Sequence, residues 1–407
     1  MNKVVAKPIF HILVGIIITL TTTKILERIR KKKKNSTTTT DEEGFEMEMN
    51  KNNKNKTNYH NSIVSLVGNT PMLRIKSLSE ATGCDIVGKA EFMSIGGSSK
   101  DRVALFIINE AEKDGLIKPY TGSTIFEGTV GSTGISLALI AKAKGYNCHI
   151  VMPDDQSEEK YLLLNSLGAT VEKVRPCSIV DKNHFVNVAK RRANEMNNEP
   201  DKLSDQFESN ANFKAHYTTT GPEIFKQTGG NIDAFVMGAG TGGTLAGVSS
   251  YLKPLIPSIK IVLADPQGSG LHAKVKHNVL YSPFEKEGSR KRHQVDTIVE
   301  GMGQNRRTKN IDKLFENHLI DDSVKVKDIE ALEMSRYVMK NDGLFIGSST
   351  SVNLVAAYRC AKALGPGHTI VTILCDNGLR HLTKFWNDEY CKKLGLVSKG
   401  NALELLN

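Results

Sequence analysis

The chain is poor in cysteine, and the cysteines it has are unorganised. Cys84, Cys148, Cys177, Cys360, Cys375 and Cys391 make six in 407 residues, with no C-x-x-C pair and no cluster of His with Cys. Scattered cysteines without such patterns read as reduced thiols in a cytosol-like compartment, with no zinc site. Internal repeats are also lacking. The formal charge is +10, yet the folded part has little of it. Residues 1–57 hold 12 Lys or Arg against 6 Asp or Glu, and the other 350 residues hold 42 against 38, so +6 sits in the first segment and +4 in the rest. A nearly balanced body argues against nucleic acid as a partner. What is present, 39% hydrophobic and 24% charged residues, is the composition of a globular protein. At this length two domains, or one α/β unit with two lobes, are expected.

A long apolar run comes near the start, Pro8 to Thr23, continuing through Lys24 to Ile25 and Leu26, with His11 the only ionisable residue before Lys24. As a helix it would span roughly 25–28 Å, close to the thickness of a thin bilayer. Arg28, Arg30 and Lys31 to Lys34 follow, and such a basic block stays cytosolic with the chain behind it. Thr21-Thr22-Thr23-Lys24 is a poor secretory cleavage site, and the run is apolar all round where a matrix presequence is amphipathic. The expectation is one N-terminal transmembrane helix, with residues 1–34 an uncleaved anchor. Residues 35–57, rich in Asn, Thr, Lys and Glu, read as a disordered linker, and 58–407 as the folded body.

Beyond the linker, short apolar runs alternate with helical ones. Strands are predicted at 85–90, 123–127, 147–152, 170–174, 234–237, 259–264 and 370–374. Helices are predicted at 101–114, 133–144, 158–167, 183–197, 221–228, 244–255, 327–341 and 351–364. This alternation means βαβ units and a mostly parallel sheet.

Three strand-to-helix loops are built from small residues. Gly96-Gly97-Ser98-Ser99-Lys100-Asp101-Arg102 places a lysine at a helix start, where the helix dipole and burial favour a neutral amine. A neutral lysine is a nucleophile able to form a Schiff base. On these residues alone a solvated lysine explains the stretch as well. Gly128-Thr129-Val130-Gly131-Ser132-Thr133-Gly134 and Gly238-Ala239-Gly240-Thr241-Gly242-Gly243-Thr244 expose backbone N–H groups at helix starts, which suits an anion. Gly238, Gly240 and Gly243, with Asp265 some way on, also fit a dinucleotide fingerprint, and the spacing alone leaves that reading open.

Taken together, the loops resemble the β-family (fold type II, tryptophan synthase β-like) of pyridoxal-phosphate enzymes, which includes cysteine synthase and cystathionine β-synthase. The resemblance runs from about Ile63 to Leu396. Leu66-Val67-Gly68-Asn69-Thr70-Pro71-Met72 is similar to the family's opening, and 96–102 to its cofactor-lysine motif. Gln206-Phe207, Thr218 to Ile224, Glu300-Gly301-Met302-Gly303 and Thr369 to Asp376 follow in the family's order, which leaves the dinucleotide reading without support. With the anchor, the chain resembles a membrane-anchored fungal-type cysteine synthase.

The resemblance implies a catalytic domain of two lobes, each with a mostly parallel sheet, the smaller lobe at roughly 94–205. Lys100 is the implied tether of pyridoxal 5'-phosphate and the catalytic base. Gly240, Thr241, Gly242, Gly243 and Thr244 are implied to hold the phosphate. Thr129, Thr133 and Gln206 are implied to hold the substrate carboxylate, with Ser132 and Asn377 toward the cofactor ring. The implied reaction is a β-replacement, O-acetylserine plus sulfide giving L-cysteine and acetate. A cystathionine β-synthase, a serine/threonine dehydratase, or a catalytically weak anchored pyridoxal-phosphate-binding protein are the alternatives. A homodimer is implied, and the anchor is similar to those of the mitochondrial outer membrane, with the endoplasmic reticulum second. Three positions depart from the family's pattern. Val130 and Ser132 stand in a loop that usually reads Thr-Ser-Gly-Asn-Thr-Gly, and Asn377 stands where a serine is common. Losing a hydrogen bond to a charged group removes roughly 1.5–3 kcal/mol, so altered substrate preference is expected.

Overall fold

The computed structural model of the protein describes residues 60–197, 210–281 and 297–406. The expected anchor (1–34), the linker (35–57) and Gln206 lie outside them. Among the described residues no helix is long and apolar enough to cross a membrane.

Among the described residues nine strands form two sheets. They are β1 (Met72–Arg74), β2 (Asp85–Ala90), β3 (Thr124–Gly128), β4 (Asn147–Pro153), β5 (Thr170–Val174), β6 (Ala234–Gly238), β7 (Lys260–Pro266), β8 (Asp322–Val326) and β9 (Thr369–Leu374). The larger sheet has the order β1-β2-β9-β6-β7-β8 and the smaller β3-β4-β5. β1 runs antiparallel to β2, and the other ladders are parallel. The inner strands are continuous apolar runs because parallel sheets are covered on both faces. Along β6, Ala234 and Val236 enter one core while Phe235 and Met237 enter the core on the opposite face. This is the two-residue period of a strand. β1 and β8 are additions to the expected strands. β1 has three residues, and β8 (Asp-Ser-Val-Lys-Val) is an edge strand whose apolar side is only two residues long.

The helices that position the site are α1 (Lys100–Lys113), α2 (Ser132–Ala143), α3 (Glu158–Ser166), α4 (Phe185–Asn197), α5 (Gly243–Leu255), α6 (Asp328–Asp342) and α7 (Ser348–Leu364). α1 and α2 pack on the smaller sheet through Ala104, Ile108, Ile135 and Ile150. α6 and α7 cover one face of the larger sheet, and α5 the other. The loops that leave β3, β6 and β9 all lie at carboxyl ends of parallel strands, where α/β folds bind ligands.

Candidate active site

A cavity of about 330 Å³ gathers these loops around Lys100. Lys100 is the first residue of α1. The turn before it is held from several sides. Ser99 N–H donates to Cys375 O at 3.1 Å, and Ser98 forms a β-bridge with Asp376. Gly96 N–H donates to Asp101 Oδ2 at 2.7 Å, and Ser136 Oγ donates to Asp101 Oδ1 at 2.5 Å. Two residues on, the buried Arg102 pairs with Glu91 at 2.9 Å and Glu223 at 2.6 Å. A helix start fixed this way holds the lysine side chain in the cavity. Burial lowers the Lys100 pKa, outweighing Cys375, Asp376, Glu91 and Asp101, which favour the charged form.

Gly240, Thr241, Gly242 and Thr244 line the same cavity. Gly242 has φ 84°, a left-handed conformation that suits glycine, and it caps α5. The first N–H groups of α5 have no carbonyl in their own helix, so they are ready for an anion. Thr241 Oγ1 accepts from Asn212 Nδ2 at 2.9 Å, and Thr244 Oγ1 lies 3.0 Å from His216 Nε2. Gly243 does not line the cavity; it packs on Asn212. A cradle of backbone donors and two hydroxyls, facing a lysine with a lowered pKa, fits pyridoxal phosphate.

Thr129, Val130, Ser132 and Thr133 line the cavity from the smaller sheet. Thr129 N–H donates to Val151 O at 3.0 Å, and Thr129 Oγ1 accepts from Gly131 N–H at 3.3 Å. Gly131 has φ 134°, and a side chain there would meet Lys160 Cδ at 2.5 Å. The aliphatic stem of Lys160 therefore underlies this loop.

Asn377 does not line the cavity. Its side chain caps the turn Gly378–His381, Oδ1 accepting from Leu379 N–H at 3.1 Å. Its expected place toward the cofactor ring would have to be reached from this capping position. Ser349, in the first turn of α7, does line the cavity, as does Cys375, to which it is hydrogen-bonded. The sequence carried a signal for it, since Gly347-Ser348-Ser349 is another run of small residues opening a helix. Sequence reasoning also missed a buried ionic cluster on the cavity wall. Lys160 pairs with Glu300 at 2.6 Å, and His381 lies 3.3 Å from Glu300 and 3.2 Å from Asp376.

The family model for pyridoxal-phosphate-dependent enzymes matches residues 63–376. Cysteine synthase 2 of Schizosaccharomyces pombe is 54% identical over 342 residues, which cover 83% of this chain and 86% of the relative. A Saccharomyces cerevisiae relative whose name contains the words mitochondrial cysteine synthase is 53% identical over 332 residues, covering 80% of this chain and 84% of the relative. The crystal structure of an O-acetylserine dependent cystathionine beta-synthase from Helicobacter pylori superposes with a TM-score of 0.68 at 31% identity, covering 81% of this chain and 99% of that one. The lysine, the anion cradle and these likenesses agree, and the chain belongs to the family of pyridoxal-phosphate-dependent enzymes.

Proposed function

We propose that this enzyme makes L-cysteine by β-replacement, taking O-acetylserine and sulfide and releasing acetate. The observation that carries the reading is the meeting of Lys100, the Thr129–Thr133 loop and the Gly240–Thr244 loop in one cavity. The reading also draws on relatives that are named cysteine synthases.

Pyridoxal phosphate, when bound, supplies the electron sink that makes the α-proton removable. The backbone N–H groups of 240–244 and the Thr241 and Thr244 hydroxyls hold its phosphate. Ser132 and Ser349, which line the cavity, would lie toward its ring, and Asn377 caps the neighbouring turn. Thr129, Thr133 and Gln206 hold the donor's carboxylate and turn its α-hydrogen toward Lys100. Lys100 Nζ takes that proton as a neutral amine, the β-acetate departs with its bonding electrons, and sulfide adds at the β-carbon. Lys100 Nζ then returns the proton to the α-carbon. Residues 94–205 are the smaller lobe in this reading. The enzyme acts as a homodimer, held by residues 1–34 to a membrane, the mitochondrial outer membrane in first place.

The test is turnover by the purified, cofactor-loaded full chain. Cysteine should form from O-acetylserine and sulfide. If only serine with a carbon-bearing thiol reacts, the cystathionine reading replaces this one, and no turnover of any donor sinks both. For the anchor, a chain lacking residues 1–34 should leave the membrane fraction and stay active; retention there overturns that part.

A further inference from the structure

We propose that His184, with the apolar wall of Val130, Ile179 and Val186, recognises the acyl group of an O-acyl-serine donor. This rests on the β-replacement reading above and names the feature of the donor that the site selects.

All four residues line the cavity that holds Lys100. His184 immediately precedes α4, and its carbonyl accepts the Val188 N–H at 2.9 Å. Its ring caps the same helix, with Val186 N–H donating to Nδ1 at 3.3 Å. A backbone N–H can only donate, so Nδ1 is the bare nitrogen and a neutral ring carries its proton on Nε2. Burial and then the Arg306 cation push the imidazole down to about 4, so the ring is neutral at ordinary pH. The residue is 7% exposed, and its ring packs on Phe185 with centroids 4.0 Å apart. The outcome is a fixed Nε2–H donor beside the apolar side chains of Val130, Ile179 and Val186, in a cavity that Ser178 and Arg306 also line.

A donor on a poorly hydrated wall gains most from a neutral acceptor flanked by carbon. An ester carbonyl is such a group. Val130 and Ile179 pack against the Phe185 and Val186 cluster beside it, and together they offer a surface for the acyl carbons. Free serine has no carbon to place there. The departure at Val130 is explained in the same way. A hydroxyl is given up in the carboxylate loop, and apolar area is gained where the acyl group lies.

The experiment compares O-acetylserine with 3-chloroalanine, a donor that lacks the acyl group, each with sulfide. The quantity read is the ratio of the two kcat/KM values. His184→Ala should lower this ratio about tenfold, mainly by raising the KM for O-acetylserine. His184→Gln, which keeps a donor, should recover part of it. Val130→Ser, which leaves the α4 cap intact, should lower the ratio severalfold and decides the matter if His184→Ala does not fold. Unchanged ratios in Val130→Ser and in whichever His184 variant folds overturn the inference while the β-replacement reading stands. A wild-type enzyme that turns over neither donor sinks that reading and this one together.

Discussion

Lys160 Nζ lies 2.6 Å from Glu300 Oε2, and both side chains are nearly closed to solvent. The pair ties α3, beside the smaller sheet, to the 297–303 segment that packs with the larger one. Glu300 is also within 3.3 Å of His381 and 3.8 Å of Lys384. Lys160→Met would leave a buried carboxylate with weaker partners and take the support from under Gly131. Breaking a buried pair from one side destabilises by roughly 3–5 kcal/mol, and here the remaining cations keep the loss near the lower figure. Urea unfolding should show that loss, and the donor KM should rise more than kcat falls. The double variant with Glu300→Gln should lose less than the two single losses added together.

His381 gives the enzyme a pH dependence of known sign. Burial opposes its charge, but Asp376 and then Glu300 outweigh burial and raise its pKa from 6.5 to about 9. A raised folded-state pKa contributes stability that is complete below the unfolded value and lost as pH climbs through the folded one. The unfolding midpoint should therefore fall between about pH 6.5 and about pH 9. His381→Gln should flatten the fall across that window in thermal melts at matched ionic strength. An equally steep fall in the variant would assign the dependence to other groups.

Much of this architecture was legible in the residues, and the missed parts have physical reasons. β6 and β9 were readable because continuous apolar runs between glycines and polar turns leave little choice. The three loops were readable because small residues at a helix start have few other uses. Ser349 and Asn377 cannot be told apart from the residues alone, since adjacency to Asp376 in sequence says nothing about which side chain a cap consumes. The Lys160–Glu300–His381–Asp376 cluster was invisible for another reason. Its members come from 158–166, 297–303 and the stretch after β9, and only the fold brings them together. His184 read as part of a helix start, and its tautomer exists only once Val186 N–H is in place.

The cofactor's grip should depend on a residue two layers from it. His216 is fully buried, with Nε2 3.0 Å from Thr244 Oγ1 and Nδ1 2.9 Å from Thr220 Oγ1. Burial first, with Lys100 and Arg102 nearby, keeps its pKa well below the ordinary value, so one ring nitrogen donates and the other accepts. With Nε2 as the donor, the Thr244 hydroxyl must send its own hydrogen elsewhere, toward the phosphate. His216→Leu should weaken cofactor binding about tenfold, with kcat at saturating cofactor reduced less. Fluorescence titration of the apo-enzyme with pyridoxal phosphate reads the first number, and steady-state rates read the second. A kcat loss with unchanged cofactor affinity would place His216 in the proton chemistry instead.

Lys100→Ala separates holding the cofactor from moving the proton. The 240–244 cradle is independent of the lysine side chain, so the variant should still bind pyridoxal phosphate, now without a covalent link. Removing a general base slows turnover by about 10²–10⁴-fold. A small primary amine added to the buffer should restore part of that rate, because the cavity left by the side chain admits a neutral amine near the α-carbon. Rescue should increase with the fraction of free amine, and so with pH. Arg102, Ser99 and Asp101 keep their contacts in the variant, which leaves the turn and α1 in place. Unchanged turnover in Lys100→Ala would overturn the role of this lysine. A loss of rate with retained cofactor and amine rescue would assign proton transfer to Nζ itself rather than to the fold around it.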